Sequence, residues 1–259
     1  MQAGGKHDPY GNNIDSREVA RFAALSSKWW DKEGEFRPLH QIGAARLSFI
    51  REAVSDHFGI DQRKVRALEG LKVLDVGCGG GLICEPLARL GGSVTGIDPG
   101  DENIAVASAH AKEQGLAIDY RATRVEDLAA AGELFDVAVC LEVIEHVPDP
   151  GAFVAACAET VRPGGLMIVS TINRTLKAYG LAIIAAEHLL RWLPKGTHQW
   201  ERFVTAGELK TALLECGMEN PRMAGLVYEP LRDRWTVGND TDVNYIAASA
   251  KPETAVVSG

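Results

Sequence analysis

Between Leu71 and Pro99 the chain reads LKVLDVGCGGGLICEPLARLGGSVTGIDP, and few folds accept such a stretch. The apolar pair Val73-Leu74 leads through Asp75 into the glycine cluster Gly77-Cys78-Gly79-Gly80-Gly81. A helix-length segment from Leu82 to Leu90 follows, and a second apolar strand ends on Asp98. Strand, glycine turn, helix, strand and acid make one half of a nucleotide-binding α/β fold. Glycines allow the tight turn and let backbone N–H groups approach a ligand with no Cβ in the way. The helix N-terminus behind them favours a negative or electron-rich group. Asp98, at the tip of the second strand, is placed to accept hydrogen bonds from both hydroxyls of a ribose.

The glycine spacing narrows the nucleotide. A dinucleotide fingerprint places its third glycine where this chain has Leu82, and no Gly-Lys-Ser/Thr follows to make a P-loop. DVGCGGG, with Asp75 ahead of it, resembles instead the first motif of class I S-adenosylmethionine-dependent methyltransferases. In those enzymes the loop, here Gly77 and Gly79, passes under the methionine part of the cofactor, and the Asp98-type residue holds the ribose.

At 259 residues the chain can bury one good core, which predicts a single domain with additions. A formal charge of -8 argues against nucleic acid held on a basic face. The five cysteines are odd in number, lie mostly in apolar segments and form no CxxC. Neither a disulfide framework nor structural zinc is expected from them, and a reducing cytoplasm fits. The first residues, MQAGGKHDPYGNNIDS, lack the apolar core of a signal peptide, and no apolar run is long enough to span a bilayer.

Along the chain, residues 1–15 and the tail 250–259 read as flexible. Ser16 is a candidate cap for a helix reaching Trp30, and after a break at Gly34 and Pro38 a second helix covers His40 to Phe58. With no strand between them, these helices (16–60) are expected to cap the carboxyl ends of the sheet. Strands are predicted at 72–76, 93–98, 118–123, 134–140 and 165–170, with helices at 82–90, 101–114 and 150–161. Asp149-Pro150 starts the last of these helices and Pro163-Gly164-Gly165 ends it. Thr205 and Glu208 form a capping box for a helix to Glu215, and strands near 223–229 and 242–249 complete the sheet. The alternation predicts a mostly parallel, doubly wound α/β sheet within one domain, 16–249.

Arg174 to Lys195 interrupts that alternation. Its centre, Tyr179 to Ala186, is continuously apolar, and its net charge is +3. A basic amphipathic helix of this kind can lie on an anionic bilayer surface with Tyr179 and Trp192 at the headgroups. The alternative is a lid packed on the active site or on a second subunit.

Several residues could carry chemistry. Asp127 offers an acceptor for an adenine amino group, or simply caps a helix. Arg46, within an apolar helical face between Ile42 and Ile50, wants an anion such as the cofactor's carboxylate, or a salt bridge. Glu142, Glu145 and His146 stand at i, i+3 and i+4, so one helical turn would face them the same way. They suit a divalent ion, Mg²⁺ by their carboxylates, with the histidine shifting the balance toward Mn²⁺, Zn²⁺ or Fe²⁺. Equally, His146 could act as a base without metal, or the group could be polar packing. Trp29, Trp30, Phe36, Pro38 and Trp200 line a substrate entrance or fill the core.

Over Ile14 to Ala248 the chain resembles the ubiquinone biosynthesis O-methyltransferases, through RFAALSSKWWDKEGEFRPLHQI, VLDVGCGGGLICEPLARLGGSVTGID, CLEVIEHVPDP, STINRT and LPKGTHQWERFV. The WWD…GEFRPLH and LPKGTH segments lie outside the common fold and are the specific ones. The resemblance implies a class I, Rossmann-like fold: a seven-stranded mostly parallel sheet with its last two strands antiparallel, a helical cap and a helical insertion. It implies S-adenosylmethionine contacts at Arg46, Gly77, Asp98 and Leu141, the last through its backbone or apolar side chain against adenine. Eukaryotic relatives are described as binding a divalent metal through the positions of Glu142, Glu145 and His146. The insertion, Thr175 to Leu193, implies peripheral binding at the inner face of the cytoplasmic membrane, beside other ubiquinone-biosynthesis proteins. Ala44-Ala45-Arg46 departs from the usual Asn-Pro-Leu-Arg but keeps the arginine.

The expected reaction moves a methyl from S-adenosylmethionine to a phenolic oxygen of a polyprenylated phenol or quinol. Phenols ionise near pH 10, and only the phenolate is a good nucleophile, so a metal or His146 must remove the proton. The competing readings are methylation of another small phenol or a ring carbon, and a non-catalytic quinone or lipid carrier.

Overall fold

A computed structural model describes residues 13–179 and 200–253. One eight-stranded sheet runs through it in the order β3-β2-β1-β4-β5-β8-β6-β7. Strands β1 (Lys72–Val76), β2 (Ser93–Asp98), β3 (Asp119–Ala122), β4 (Phe135–Leu141) and β5 (Val161–Ile172) are parallel neighbours. β8 (Asn244–Ala250) inserts antiparallel between β5 and β6 (Arg222–Glu229), and β7 (Arg234–Gly238) closes the edge as a hairpin with β6.

The central strands are buried on both faces, which is why they read as continuous apolar runs. Leu74, Val76, Ala138 and Cys140 point into one core layer, with α5 (Val125–Ala131), α6 (Pro150–Glu159) and α8 (Ala206–Glu215) over it. Val73, Val137 and Val139 point into the other, covered by α2 (Arg37–Phe58) and α3 (Cys84–Arg89). Helix α4 (Asp101–Glu113) joins β2 to β3, and α1 (Ser16–Ala24) begins the cap. α7 (Leu176–Ala178) is a single turn at the start of the predicted insertion, most of which lies outside the described residues.

Several boundaries differ from the sequence reading. The sheet has eight strands rather than seven, because Arg234–Gly238 pairs with β6. Asp15, not Ser16, caps α1, accepting from the Arg17 N–H at 3.1 Å, and α1 stops at Ala24 rather than Trp30. Pro38 lies in the first turn of α2 rather than in a break before it, a position where its missing N–H costs nothing. Pro163-Gly164-Gly165 sits inside β5, at a register shift against β4, while α6 already ends at Glu159. Asn13 is not in a loose end: it exchanges hydrogen bonds with the Asp149 backbone at 2.7 and 2.9 Å. Lys251, placed in the flexible tail, hydrogen-bonds the carbonyls of Ala158 and Val161. The two proposed N-caps, Asp149 and Thr205 with its Glu208 box, are found as expected.

Candidate active site

A cavity of about 1390 Å³ opens at the carboxyl ends of β1, β2 and β4. The glycine loop floors it, α1 and α2 cover it, and Tyr228, Pro230 and Trp235 of the β6–β7 hairpin form part of its wall.

The loop after β1 bends sharply at Gly77, whose φ is +72°. A Cβ there would lie 2.4 Å from Val143 Cγ2, so both conformation and space require glycine. The Gly77 and Cys78 N–H groups donate to the Ile97 carbonyl at 2.8 and 2.9 Å, and Gly79 N–H donates to Asp98 Oδ2 at 3.1 Å. The loop is thereby tied to the tip of β2. Asp98 Oδ1 accepts from Gly100 N–H at 2.8 Å and from Asn103 Nδ2 at 3.0 Å. Burial raises its pKa, and these donors oppose the rise. A carboxylate offers about four acceptor positions; three are taken, and the remaining one, on Oδ2, is open to a ligand. Asp75, two residues before the loop, is fully buried beneath it, and burial lifts its pKa to about 7.

Asp127 does not line this cavity. Its carboxylate caps α5, bonding Arg124 Nη2 at 2.8 Å and accepting from the Arg124 backbone and Thr123 Oγ1. The capping alternative is what the geometry shows, and the neighbouring Val125 and Glu126 face the cavity instead.

Glu142, Glu145 and His146 fall at the end of β4, but not on one helical face. Leu141 ends the strand and lines the cavity. Glu142 then adopts φ +56°, a left-handed conformation uncommon for a side chain with a Cβ, and only Ile144–His146 form a short 3₁₀ turn. Because the backbone reverses at Glu142, each member finds a different partner. Glu142 Oε1 takes Arg46 Nη2 at 2.8 Å and the Ser170 hydroxyl at 2.8 Å. Glu145 Oε2 accepts from Thr171 Oγ1 at 2.8 Å, beneath the site. His146 Nδ1 lies 2.9 Å from Glu18 Oε2 of α1. These residues do not fit a shared metal ion: among the described residues no three His, Cys, Asp or Glu side chains gather to hold one. Glu18 has no signal in the sequence, since nothing local marks an acid on a cap helix as a partner of His146.

Arg46 is 4% exposed, and its Nε has no hydrogen-bond partner among the described residues although it lines the cavity. Buried donors are normally satisfied, so this one is available to a ligand acceptor.

Burial and the nearby Glu142 charge raise the Glu145 pKa to about 7 from the ordinary 4.5, with His146 opposing. The folded chain therefore holds this proton more tightly than the unfolded one. Stability from it is complete below about pH 4.5 and is lost as the pH rises through 7. Glu145→Gln keeps a carbonyl for Thr171 and removes the ionisation. The variant should melt a few degrees above the parent at pH 8, a gain fading toward pH 5; equal melting temperatures at pH 8 would contradict the buried carboxyl.

A family model described as a methyltransferase domain matches residues 74–169. The chain is 52% identical over 240 residues to the ubiquinone biosynthesis O-methyltransferase of Parvibaculum lavamentivorans, covering 93% of this chain and 95% of that one. It is 53% identical over 232 residues to the enzyme of the same name from Azorhizobium caulinodans, covering 90% and 92%. Among solved structures, magnesium protoporphyrin IX methyltransferase from Synechocystis with bound SAH aligns at TM-score 0.61 and 20% identity, over 92% of this chain and 100% of that one. A possible histamine N-methyltransferase from Thermotoga maritima aligns at 0.58 and 15%, over 92% and 100%. At such identities the two structures establish the fold alone.

Proposed function

The chain belongs to the ubiquinone biosynthesis O-methyltransferases, and from that premise we propose how its own residues hold the cofactor and take the proton from the substrate. The protein transfers a methyl group from S-adenosylmethionine to an oxygen of a ubiquinone precursor, a polyprenylated phenol or quinol.

The cofactor's sulfonium supplies an activated methyl, which leaves alignment and deprotonation to the protein. The open acceptor of Asp98 would take a ribose hydroxyl, and the loop at Gly77 and Gly79 would hold the methionine part. Leu141, which lines the cavity, would pack against the adenine, and the unsatisfied Arg46 Nε would donate to the carboxylate. Asp127 is engaged in its cap and has no part in this assignment. His146 removes the phenolic proton: with Nδ1 set 2.9 Å from Glu18 Oε2, Nε2 is left to accept it. The Glu18–His146 pair on the cavity wall is the observation that carries this reading. Glu142 and Glu145, committed to Arg46, Ser170 and Thr171, shape the wall rather than bind an ion.

The polyprenyl tail calls for access from a lipid surface, and the segment 174–195 supplies it. Its composition supports this role, as do Leu176 and Tyr179 at its described start, 83% and 43% exposed. Among the described residues no helix is long and apolar enough to cross a membrane.

The test is methyl transfer to a short-tailed demethylubiquinol, with and without a strong chelator. Product methylated on oxygen at an undiminished rate is expected. A rate abolished by chelation and restored by Mg²⁺, Mn²⁺ or Zn²⁺ would replace the base with a metal, and methylation of only other phenols or a ring carbon would overturn the substrate.

A further inference from the structure

Two tryptophans of the cap lock onto the cofactor loop. The Trp29 ring stacks on Phe36, centroids 3.8 Å apart and 6° from parallel, and lies directly over Gly79 and Gly80. A Cβ on either glycine would come within 2.5 Å of that indole. Trp30 Nε1 donates to the Gly80 carbonyl at 3.0 Å.

Trp29 also reaches Asp98 through one intermediary. Its Nε1–H donates to Asn103 Oδ1 at 2.9 Å, and Asn103 Nδ2 donates to Asp98 Oδ1 at 3.0 Å. An indole can only donate and a carboxylate can only accept, so the amide's orientation is dictated by its neighbours. Asn103 is 2% exposed and Trp29 7%, so water does not substitute for either partner. The amide is planar, and fixing one end fixes the other. With Gly100 N–H and Asn103 filling Oδ1, the open acceptor of Asp98 is held on Oδ2.

We propose that Asn103 is a positioning residue that couples the ribose-holding carboxylate of Asp98 to closure of the N-terminal cap through Trp29. Closing the cap orients Asn103, Asn103 holds the Asp98 carboxylate with its free position toward the cavity, and a nucleoside bound there favours the closed cap in return. Such coupling is reciprocal by linkage. It rests on the reading that the cofactor's ribose binds Asp98.

The experiment is a double-mutant cycle on S-adenosylhomocysteine affinity, by calorimetry on the full chain, with Asn103→Ala, Trp29→Phe and the pair. Phenylalanine keeps a ring on Phe36 and deletes the N–H. Each single change should weaken binding by roughly 5–20-fold, and the double should be no worse than the weaker single within about twofold, because both cut one connection. A catalytic readout separates positioning from damage: KM for S-adenosylmethionine should rise while kcat at saturation stays within about threefold. Single effects that multiply, a Trp29→Phe variant binding like the parent, or kcat falling with KM unmoved would each overturn the coupling. If Asn103→Ala does not fold, Trp29→Phe with its KM and kcat decides alone. A parent that binds no S-adenosylhomocysteine would sink the cofactor reading itself, a result distinct from any of these.

Discussion

His146→Gln should slow methyl transfer to a catechol by roughly 10²–10³-fold at neutral pH, the range general-base removal produces, and leave S-adenosylhomocysteine affinity within about twofold. The imidazole lies against the cap, edge-on to Phe22 with ring centroids 5.4 Å apart and Nδ1 2.9 Å from Glu18. The imidazole beside it makes the Glu18 carboxyl more acidic than an ordinary glutamate, so the pair favours the carboxylate anion. With Nδ1 held against that carboxylate, Nε2 is left to accept a proton, which glutamine cannot reproduce. The deficit should have its own pH signature. A phenol ionises unaided near pH 10, so the variant should recover toward the parent as the pH approaches that value. Single-turnover transfer across pH 6–10 measures both features. A variant with full activity at pH 7, or a constant deficit across the range, would remove His146 as the base.

The scaffold that presents this base is largely legible in the amino-acid sequence. Hydrophobic runs mark the central parallel strands β1, β2, β4 and β5, because strands buried on both faces read as largely apolar, whereas β3, Asp-Tyr-Arg-Ala, is only partly buried. The loop glycines and Asp98 are legible for a related reason: positive φ at Gly77 and a sheet-tip acid are local requirements that leave local traces. The errors fall where non-local contacts decide. β7, Arg-Trp-Thr-Val-Gly, is too short for its alternation to stand out, and its pairing with β6, Tyr228 opposite Trp235, is what marks it as a strand. α5 is seven residues long, too short for a helical period to stand out, so the acid that caps it, Asp127, passes equally well for an adenine contact. The same cause hides half of the site. Glu18 meets His146, and Trp29 meets Asn103, only after the cap folds over the sheet. The three-residue spacing of Glu142 and Glu145 suggests a shared face, but the reversal at Glu142 sends them to α2 and β5.

Arg46 is where that reversal and the cofactor meet, and Arg46→Ala should be the most damaging single change to stability. An exposed ion pair would cost at most about 1 kcal/mol to remove. This one is not exposed: the side chains of Arg46 and Glu142 are 4% and 14% accessible, with Nη2 2.8 Å from Oε1. Truncation strands the Glu142 carboxylate in a wall where, among the described residues, only the Ser170 hydroxyl still reaches it, a loss of about 3–5 kcal/mol by comparison with other broken buried pairs. For a domain of this size that corresponds to a melting temperature lower by on the order of 10 °C. Pairing Arg46→Met with Glu142→Gln should recover most of the loss, since a matched neutral pair leaves no uncompensated charge. It should not recover cofactor binding, because the buried Nε that meets no acceptor among the described residues is absent from both variants. Thermal melts with and without S-adenosylhomocysteine separate the two roles: the double variant should regain its melting temperature and still lose most of the ligand-induced rise. If Arg46→Ala melts within about 2 °C of the parent, the ion pair does not hold the wall. If the double variant keeps the full ligand shift, Arg46 serves Glu142 alone and the carboxylate is bound elsewhere.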